Sequence, residues 1–345
     1  MAYTTIPKST DYFNTKLYTG NYSTNAITGV GFQPDLTWIK TRTTAGENHY
    51  LFDVIRGVTK YIHSDTNAAQ GTNAATLTTF GSDGFTVGAN NSVNKSGEPL
   101  VSWNWKANGA SVSNTAGSIN STVSVNTTSG FSIVQYTGNA SQSQTVGHGL
   151  GVAPKLIIFK SSTSADDWSI CCPSVLGVDG RLTLNTTAAN SIGDNTFWNS
   201  TAPSSTLFSI GNNPRANASG QTIIAYCFAE IPGFSKMGSY EGNGNANGIF
   251  QHLGFKPAWV LIKNTTATEA YFLYDNKRGY NGSMAALFPD EAAADAFANN
   301  IDFLSNGFKI RTAGAILNGN TTKYIYMAFA SEPLVSTNGN AATAR

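Results

Sequence analysis

The sequence predicts an all-β protein made of three tandem antiparallel β-sandwich repeats, jelly-roll-like in type, with very little helix. Two observations predict this. A ten-residue pattern, Gly-x-x-Pro followed by one residue, four mostly apolar residues and Lys, occurs at 31–40, 151–160 and 254–263. Short apolar or alternating segments, separated by Gly, Asn, Ser and Pro, follow one another along most of the chain. Such spacing is typical of strands and turns.

The repeated pattern has the properties of a strand preceded by a turn. Glycine allows a sharp approach because it tolerates positive φ, and proline, which has no N–H, suits the residue before a strand. In the second and third copies the apolar residues at 156–159 and 259–262 occupy both faces. This strand is therefore expected to be central and buried on both sides. The lysine that closes each copy is expected to end burial. These lysines are Lys40, Lys160 and Lys263.

Further markers flank the pattern in each copy. A Tyr-x-Gly-Asn motif stands upstream, with an aromatic residue five or six positions before it. A strand of period two closes each copy, and its large face is predicted to be core. The same markers in the same order, three times, indicate an internal repeat. The motifs begin at Tyr18, Tyr136 and Tyr240, the aromatic residues are Phe13, Phe131 and Phe234, and the large faces consist of Val101, Trp103, Trp105, Ile224, Tyr226, Phe228, Ile325, Met327 and Phe329.

These markers divide the chain into four parts. Repeat one, with an N-terminal lead, covers 1–106, and repeat two covers 130–232. Repeat three, with a C-terminal tail, covers 233–345. The Ser/Asn/Thr-rich segment 107–129 is either a linker or a weakly patterned edge strand that packs on another surface.

Two local signals refine this prediction. Asp83–Gly84 and Asn306–Gly307 each lie between strand-like runs and predict β-hairpins, because Asx-Gly adopts the tight turn that hairpins need. Repeat two lacks this signal. The one segment expected to be helical is 290–299, which begins with acids and is rich in alanine.

Composition narrows the function classes. Charged residues make up only 12% of the chain and the net charge is +1, so a nucleic-acid partner or an anionic membrane is not expected. No apolar run is long enough for a membrane span, and the N-terminus does not resemble a secretory signal. The three cysteines do not have a disulfide or zinc spacing. They are Cys171, Cys172 and Cys227.

No catalytic residue, metal or cofactor is expected from the motifs. The four histidines, His49, His63, His148 and His252, are scattered, and a turn-stabilising or surface role is favoured for them. Asp53 with Arg56 and Asp275 with Arg278 occupy equivalent positions. An exposed Asp–Arg turn contact is the favoured interpretation, and a polar ligand contact is the alternative.

The aromatic candidates for ligand binding are Trp168 and Trp198 in repeat two. They stand near expected loop boundaries, whereas the other four tryptophans, Trp38, Trp103, Trp105 and Trp259, lie in predicted strands. An exposed indole could stack on a sugar ring, and the surrounding Asn, Ser, Thr and Gly could bond to sugar hydroxyls. The alternative is that these loops contact only neighbouring subunits.

Several segments together resemble a family of bacteriophage virion proteins that are often labelled tail-fibre or structural proteins. The resemblance covers nearly the whole chain and implies a place at the virion surface, after synthesis in the host cytoplasm. It carries no catalytic or binding residues. The segments are 8–21, 31–40, 101–106, 146–151, 226–230 and 326–330.

Three function classes follow from the resemblance. The favoured one is a tail-fibre or fibre-like structural component with weak adhesion to host cell-surface glycan. A capsid-decorating fibre or knob protein with a purely structural role is the alternative. A polysaccharide depolymerase is least favoured, because no paired carboxylates of the glycosidase type are evident. Analogy with fibres favours a homo-oligomer, most of all a trimer, that contacts other virion proteins.

Overall fold

The computed structural model describes residues 4–333, and it confirms the all-β prediction. The strands form antiparallel sheets, and each described α-helix is a single four-residue turn. A short 3-10 helix covers Ser9–Asp11. None of the described helices has the length and apolar character needed to cross a bilayer.

Repeat one contains nine strands and one helical turn. The predicted hairpin at Asp83–Gly84 is present, because Gly81 pairs with Gly84 across a two-residue loop. The elements are β1 (Phe13–Thr19), β2 (Asn25–Thr28), β3 (Leu36–Thr41), β4 (Tyr50–Asp53), β5 (Lys60–Tyr61), β6 (Gly71–Thr72), β7 (Leu77–Gly81), β8 (Gly84–Val87), α1 (Asn91–Asn94) and β9 (Pro99–Trp105).

The segment 107–129 contains two strands that extend the sheet of repeat two at its edge. These are β10 (Val112–Asn114) and β11 (Ser121–Asn126). Repeat two then continues with β12 (Phe131–Thr137), β13 (Gln144–Gly147), β14 (Leu156–Ser161), β15 (Ser169–Cys171), α2 (Pro173–Leu176), α3 (Asn195–Trp198), β16 (Leu207–Ile210), α4 (Pro214–Asn217) and β17 (Thr222–Phe228).

Repeat three follows after a short connection. Its predicted hairpin is also present, since Leu304 pairs with Gly307. The elements are β18 (Ser235–Glu241), β19 (Phe250–His252), β20 (Phe255–Asn264), β21 (Phe272–Asp275), β22 (Met284–Leu287), β23 (Ala296–Ala298), β24 (Ile301–Leu304), β25 (Gly307–Ile310), α5 (Ala315–Asn318) and β26 (Lys323–Pro333).

The three repeats share one sheet order. Each main sheet contains the first strand, the closing strand, the strand of the repeated pattern and the next strand, side by side: β1-β9-β3-β4, β12-β17-β14-β15 and β18-β26-β20-β21. The pattern strand is thus central, and in β3 and β14 every residue is buried. A small second sheet accompanies each main sheet: β2-β8-β7, β13-β16 and β19-β25-β24.

The large faces of the three closing strands meet in one shared core. Trp105, Phe228 and Phe329 occupy the same register position, and we call them the aromatic centre. Their ring centroids lie 5.7 to 6.4 Å apart in all three pairs. All nine residues predicted on the large faces belong to one continuous cluster of buried residues. The sequence predicted these faces as core, but not that the repeats would share it.

The Tyr-x-Gly-Asn motif fastens the first strand to the helical turn that precedes the closing strand. The hydroxyls of Tyr18, Tyr136 and Tyr240 donate to backbone carbonyls in α1, α4 and α5 at 2.6 to 2.7 Å. The motif glycine is needed for close approach. A Cβ on Gly20, Gly138 or Gly242 would lie 2.1 to 2.3 Å from a carbonyl oxygen just after the same turn. We call this arrangement the tyrosine clasp.

A buried asparagine completes each clasp. The side-chain oxygens of Asn94, Asn217 and Asn318 accept the N–H of the motif asparagine at 2.8 to 3.0 Å. Their amide nitrogens donate to two or more further acceptors. Sequence reasoning missed these asparagines, although each stands six residues before the first apolar residue of the closing strand, at 100, 223 or 324.

The prediction of a helix at 290–299 is wrong. Residues 296–298 instead form strand β23, which pairs with β22. The segment also bonds to repeat one, where Gly46 N donates to Ala292 O and Asp295 N donates to Arg42 O, both at 2.7 Å. These tertiary bonds outweigh the helical preference of an alanine-rich run, which is a weak determinant.

We expect Asn318→Ala to lower the free energy of unfolding by about 2–4 kcal/mol, because it removes the partners of several buried backbone groups at roughly 1 kcal/mol or more each. Urea unfolding would measure the loss. Asn320→Ala is the control, since Asn320 is exposed and such a change costs within about 0.5 kcal/mol. Equal stability of the two variants would contradict the role of the clasp.

Candidate functional site

Trp168 and Trp198 are buried, so the expectation that they are exposed is wrong. Trp168 donates from Nε1 to the carbonyl of His63 in repeat one at 2.7 Å. Trp198 donates to Gly180 O and packs on Phe159. Both side chains are at most 2% exposed, and neither presents a face on which a sugar could stack.

The two Asp–Arg pairs are also buried, and their expected exposure is wrong. Arg56 Nε lies 2.5 Å from Asp53 Oδ2, and Arg278 Nε lies 2.6 Å from Asp275 Oδ2. The same carboxylates accept backbone N–H groups of the turn that follows them. Each guanidinium also donates to a main-chain carbonyl in the strand that precedes the turn, Leu51 O in β4 or Leu273 O in β21. The pairs are therefore fully engaged with protein groups.

Each pair also binds a side chain from another repeat. Tyr226 of repeat two donates its hydroxyl to Asp53 Oδ2 at 2.7 Å. Trp103 of repeat one donates Nε1 to Asp275 Oδ2 of repeat three at 2.9 Å, and its ring stacks under Arg278. Because Trp103 and Tyr226 occupy equivalent positions on their closing strands, these contacts repeat the same joint. We call them the polar latches.

The junction of repeats two and three has no such latch. Extending the pairing of β14 with β15 by one residue places Cys172 where Asp53 and Asp275 stand in the other repeats. Met327 holds the position of Trp103 and Tyr226. Cys172 is buried, and burial raises the pKa of its thiol to about 11. The acid and its donor are thus absent together at this junction.

The latch of repeat three provides a matched test. Trp103→Phe removes the donor to Asp275, whereas Trp259→Phe removes an Nε1 that has no partner within residues 4–333. Both tryptophans are buried to the same degree. We expect Trp103→Phe to cost about 1.5–3 kcal/mol more, the worth of a hydrogen bond to a charged group. Chemical denaturation of both variants checks this, and equal losses would show that the bond contributes nothing.

The lysines that close the three copies of the repeated pattern are buried, and the expectation that the buried run ends at them is wrong. Lys40, Lys160 and Lys263 are at most 1% exposed, and their ammonium groups donate to main-chain carbonyls rather than forming ion pairs within residues 4–333. Burial lowers the pKa of each lysine to about 8. The long side chain crosses the edge of the core, and main-chain carbonyls at the end of the strand or in a nearby loop accept hydrogen bonds from the charged end.

An acid near two of these lysines, half-buried at Asp65 and buried at Asp290, occupies an equivalent place in two repeats. Asp65 and Asp290 accept the backbone N–H of His49 and of Tyr271, as Asn185 does for Trp168 in repeat two. Burial raises the pKa of Asp65 to about 6 and that of Asp290 to about 7. The neutral amide in repeat two fills the same structural role without a charge.

This difference predicts a pH-dependent effect of Asp290→Asn. The raised pKa means that the folded state binds more protons than the unfolded state between about pH 4 and 7, so this group lowers stability as pH rises through that range. The variant should therefore gain about 1–3 kcal/mol at pH 8 and little at pH 4, since one pKa unit corresponds to about 1.4 kcal/mol. Urea unfolding at both values checks this.

Glu241→Gln is the control for this experiment, because Glu241 is an exposed acid and is not among the charges that shift the pKa of Asp290. It should change stability by the same small amount at both pH values. A gain for Asp290→Asn that is equal at pH 4 and pH 8 would contradict the linkage.

A polar recess of about 200 Å³ lies between repeats one and three, and we call it the polar cleft. Phe13, Met284 and Phe303 supply buried apolar surface to its lining, and Lys277 and Tyr280 supply exposed groups. Tyr280 is 69% exposed. The cleft combines an apolar base with polar atoms, as small-molecule sites do.

Two residues that line the polar cleft each carry a buried polar atom without a partner. Thr15 Oγ1 and Asn276 Oδ1 are buried and accept or donate no hydrogen bond within residues 4–333. Thr15 is 5% exposed. Sequence reasoning missed this site because its residues come from distant parts of the chain.

The histidines and cysteines do not form a metal centre. No group of three or more His, Cys, Asp or Glu residues in the described part of the chain could hold an ion. His148 is buried and accepts the N–H of Leu150, which agrees with a turn-stabilising role. The three cysteines are buried free thiols.

Comparison with protein-family profiles matched residues 8–333 to a profile described as a domain of unknown function, DUF7483. That range includes all three repeats. Searches among curated proteins and among solved structures found no match.

Proposed function

We propose that this chain, which belongs to the DUF7483 family, is a bacteriophage virion structural protein. In this proposal it is a tail-fibre or fibre-like component at the virion surface that adheres weakly to host cell-surface glycan. The motifs that resemble phage virion proteins supply the setting. The shared core of the three repeats and the arrangement of the buried charges support a structural role.

The single observation that carries the proposal is the shared core of the three repeats. Because the aromatic centre joins all three, the repeats cannot separate without exposing Trp105, Phe228 and Phe329. Such burial makes the chain a rigid unit rather than a string of mobile modules. Rigidity suits a protein that must keep its shape in a particle.

The distribution of charge also supports a non-enzymatic structural role. Asp53 and Asp275 are tied to buried arginines, and Asp295 lies between Arg42 and Arg278. Carboxylates held in this way are not free to act as the acid and base of a depolymerase. With a net charge of +1, long-range attraction to anionic partners is weak.

We further propose assembly into a homo-oligomer, with a trimer favoured by analogy with fibres, and contact with other virion proteins. A capsid-decorating protein without a receptor is the alternative role. It differs from the favoured role in the place that the chain occupies on the particle and in whether the purified chain binds cells.

The test is to label intact phage particles with an antibody raised against the purified chain and to locate the label by electron microscopy. We expect label at the tail or its fibres, and binding of the fluorescent purified chain to host cells. Label over the capsid, without cell binding, would favour the decorating role. Absence of the chain from purified particles, measured by mass spectrometry, would contradict both.

A further inference from the structure

We propose that one end of the molecule is a docking surface for a homotrimeric protein, which contacts three equivalent loops of this single chain at the same time. The inference rests on the proposed function only for where the trimer is found, among the other proteins of the virion. The surface itself follows from a threefold arrangement within the chain.

The same backbone hydrogen bond joins each repeat to the next. The donor is the residue five positions after Asp65, Asn185 or Asp290, and the acceptor is the carbonyl two positions after the buried lysine of the neighbouring repeat. Repeat one thus donates to repeat two, repeat two to repeat three, and repeat three back to repeat one. The bonds are 2.7 to 2.9 Å long and join Gln70 N to Ser162 O, Asn190 N to Thr265 O, and Asp295 N to Arg42 O.

These contacts close the three repeats into a ring. A series of equivalent contacts that returns to its start after three steps has the form of a threefold rotation. The polar latches follow the same order, since the acid of repeat one bonds to repeat two and the acid of repeat three bonds to repeat one. The aromatic centre, whose rings contact one another in every pair, lies about the axis. Equivalent residues of the three repeats therefore lie at the same height along it.

The accepting carbonyls begin three loops at one end of this ring, 42–46, 162–166 and 265–269, which we call the crown loops. Each crown loop exposes its second and fourth residues, and the third residue between them is half-buried. The second residue is a threonine in every copy, at Thr43, Thr163 and Thr266. The chain thus presents the same pattern of exposure three times around one axis.

The buried lysines hold the crown loops in place. Each lysine bonds, directly or through a neighbouring hydroxyl, to the carbonyl of the third loop residue. A loop that is already fixed loses little conformational freedom when a partner binds, which favours association. The bonds run from Lys160 Nζ to Ser164 O, from Lys263 Nζ to Ala267 O, and from Lys40 Nζ to Thr41 Oγ1, which in turn donates to Thr44 O.

The sheet edges and the opposite end of the ring do not share this threefold arrangement. Within residues 4–333, strands β10 and β11 extend the main sheet of repeat two, and β22 and β23 extend that of repeat three, whereas the main sheet of repeat one has four strands. The latch acid Asp53 pairs with Leu36 at the start of β3, while the crown loop follows the end of β3. The latches at that opposite end join two of the three junctions.

A homotrimer is the partner that matches three equivalent loops. It presents one binding patch three times at equal height about its axis, so each patch can contact one crown loop in the same way. A partner without this symmetry would need three different patches to contact all three loops. Once one loop is bound, the other two bind without a further loss of translational freedom, which strengthens a contact that is weak at each loop. One copy of this chain therefore caps one trimer.

The experiment is photo-cross-linking in phage particles that encode Thr43→Cys, Thr163→Cys or Thr266→Cys. The three native cysteines are buried, so a thiol-reactive benzophenone attaches to the introduced one. We expect all three sites to cross-link to the same peptide of one virion protein, because three copies of that protein present the same patch. Val152→Cys is the control, since Val152 is exposed and precedes β14, at the opposite end from the crown loop. It should not link to that peptide.

The copy number in unmodified particles is the second measurement. Quantitative mass spectrometry should find at least three copies of the cross-linked protein for each copy of this chain. A lower ratio, different peptides from the three sites, links only between copies of this chain, or no link from any site would each overturn the proposal. Absence of the chain from particles would overturn both this proposal and the virion role. If the chain is present and only the cross-links or the ratio differ, the virion role stands.

Discussion

The contact between Trp105, Phe228 and Phe329 is the constraint on which the rest of the structure depends. Each ring ends the large face of a closing strand, and side chains two residues apart share a face. Fixing the three rings therefore also fixes Trp103, Tyr226 and Met327. The aromatic centre sets how the sheets face one another, and the next residue along each face determines what joins neighbouring repeats.

Apolar burial alone would not specify the order of the repeats around this centre. Three similar sheets with similar large faces could associate in other ways, whereas the polar latches fit only particular neighbours. A buried charge is costly unless it is fully bonded, so a misplaced Asp53 or Asp275 would be strongly unfavourable. The latches thus contribute specificity to an interface whose favourable free energy comes mainly from apolar area.

The sequence was sufficient for the fold class, the central strands and both tight hairpins, because these depend on local periodicity and turn chemistry. It was insufficient where a long-range contact decides the outcome. Lys40 follows an apolar run and was expected at the surface, yet its ammonium is buried and donates to the carbonyl and hydroxyl of Thr41. Trp168 was assigned to an exposed loop, but repeat one covers it. The polar cleft unites Thr15 with Asn276, and no spacing in the sequence links residues so far apart.

The missing latch between repeats two and three restricts how such a chain can change. An acid introduced at Cys172 would be buried, and Met327, which holds the position of the donor in the other latches, offers no hydrogen. A tryptophan or tyrosine introduced at Met327 would in turn bring a polar group to a position with no acceptor. Each single step is unfavourable although the double change would recreate the joint found elsewhere. The residues at positions 172 and 327 therefore depend on each other. Related chains should carry either an apolar residue at both positions or a polar residue at both, and mixed pairs should be rare.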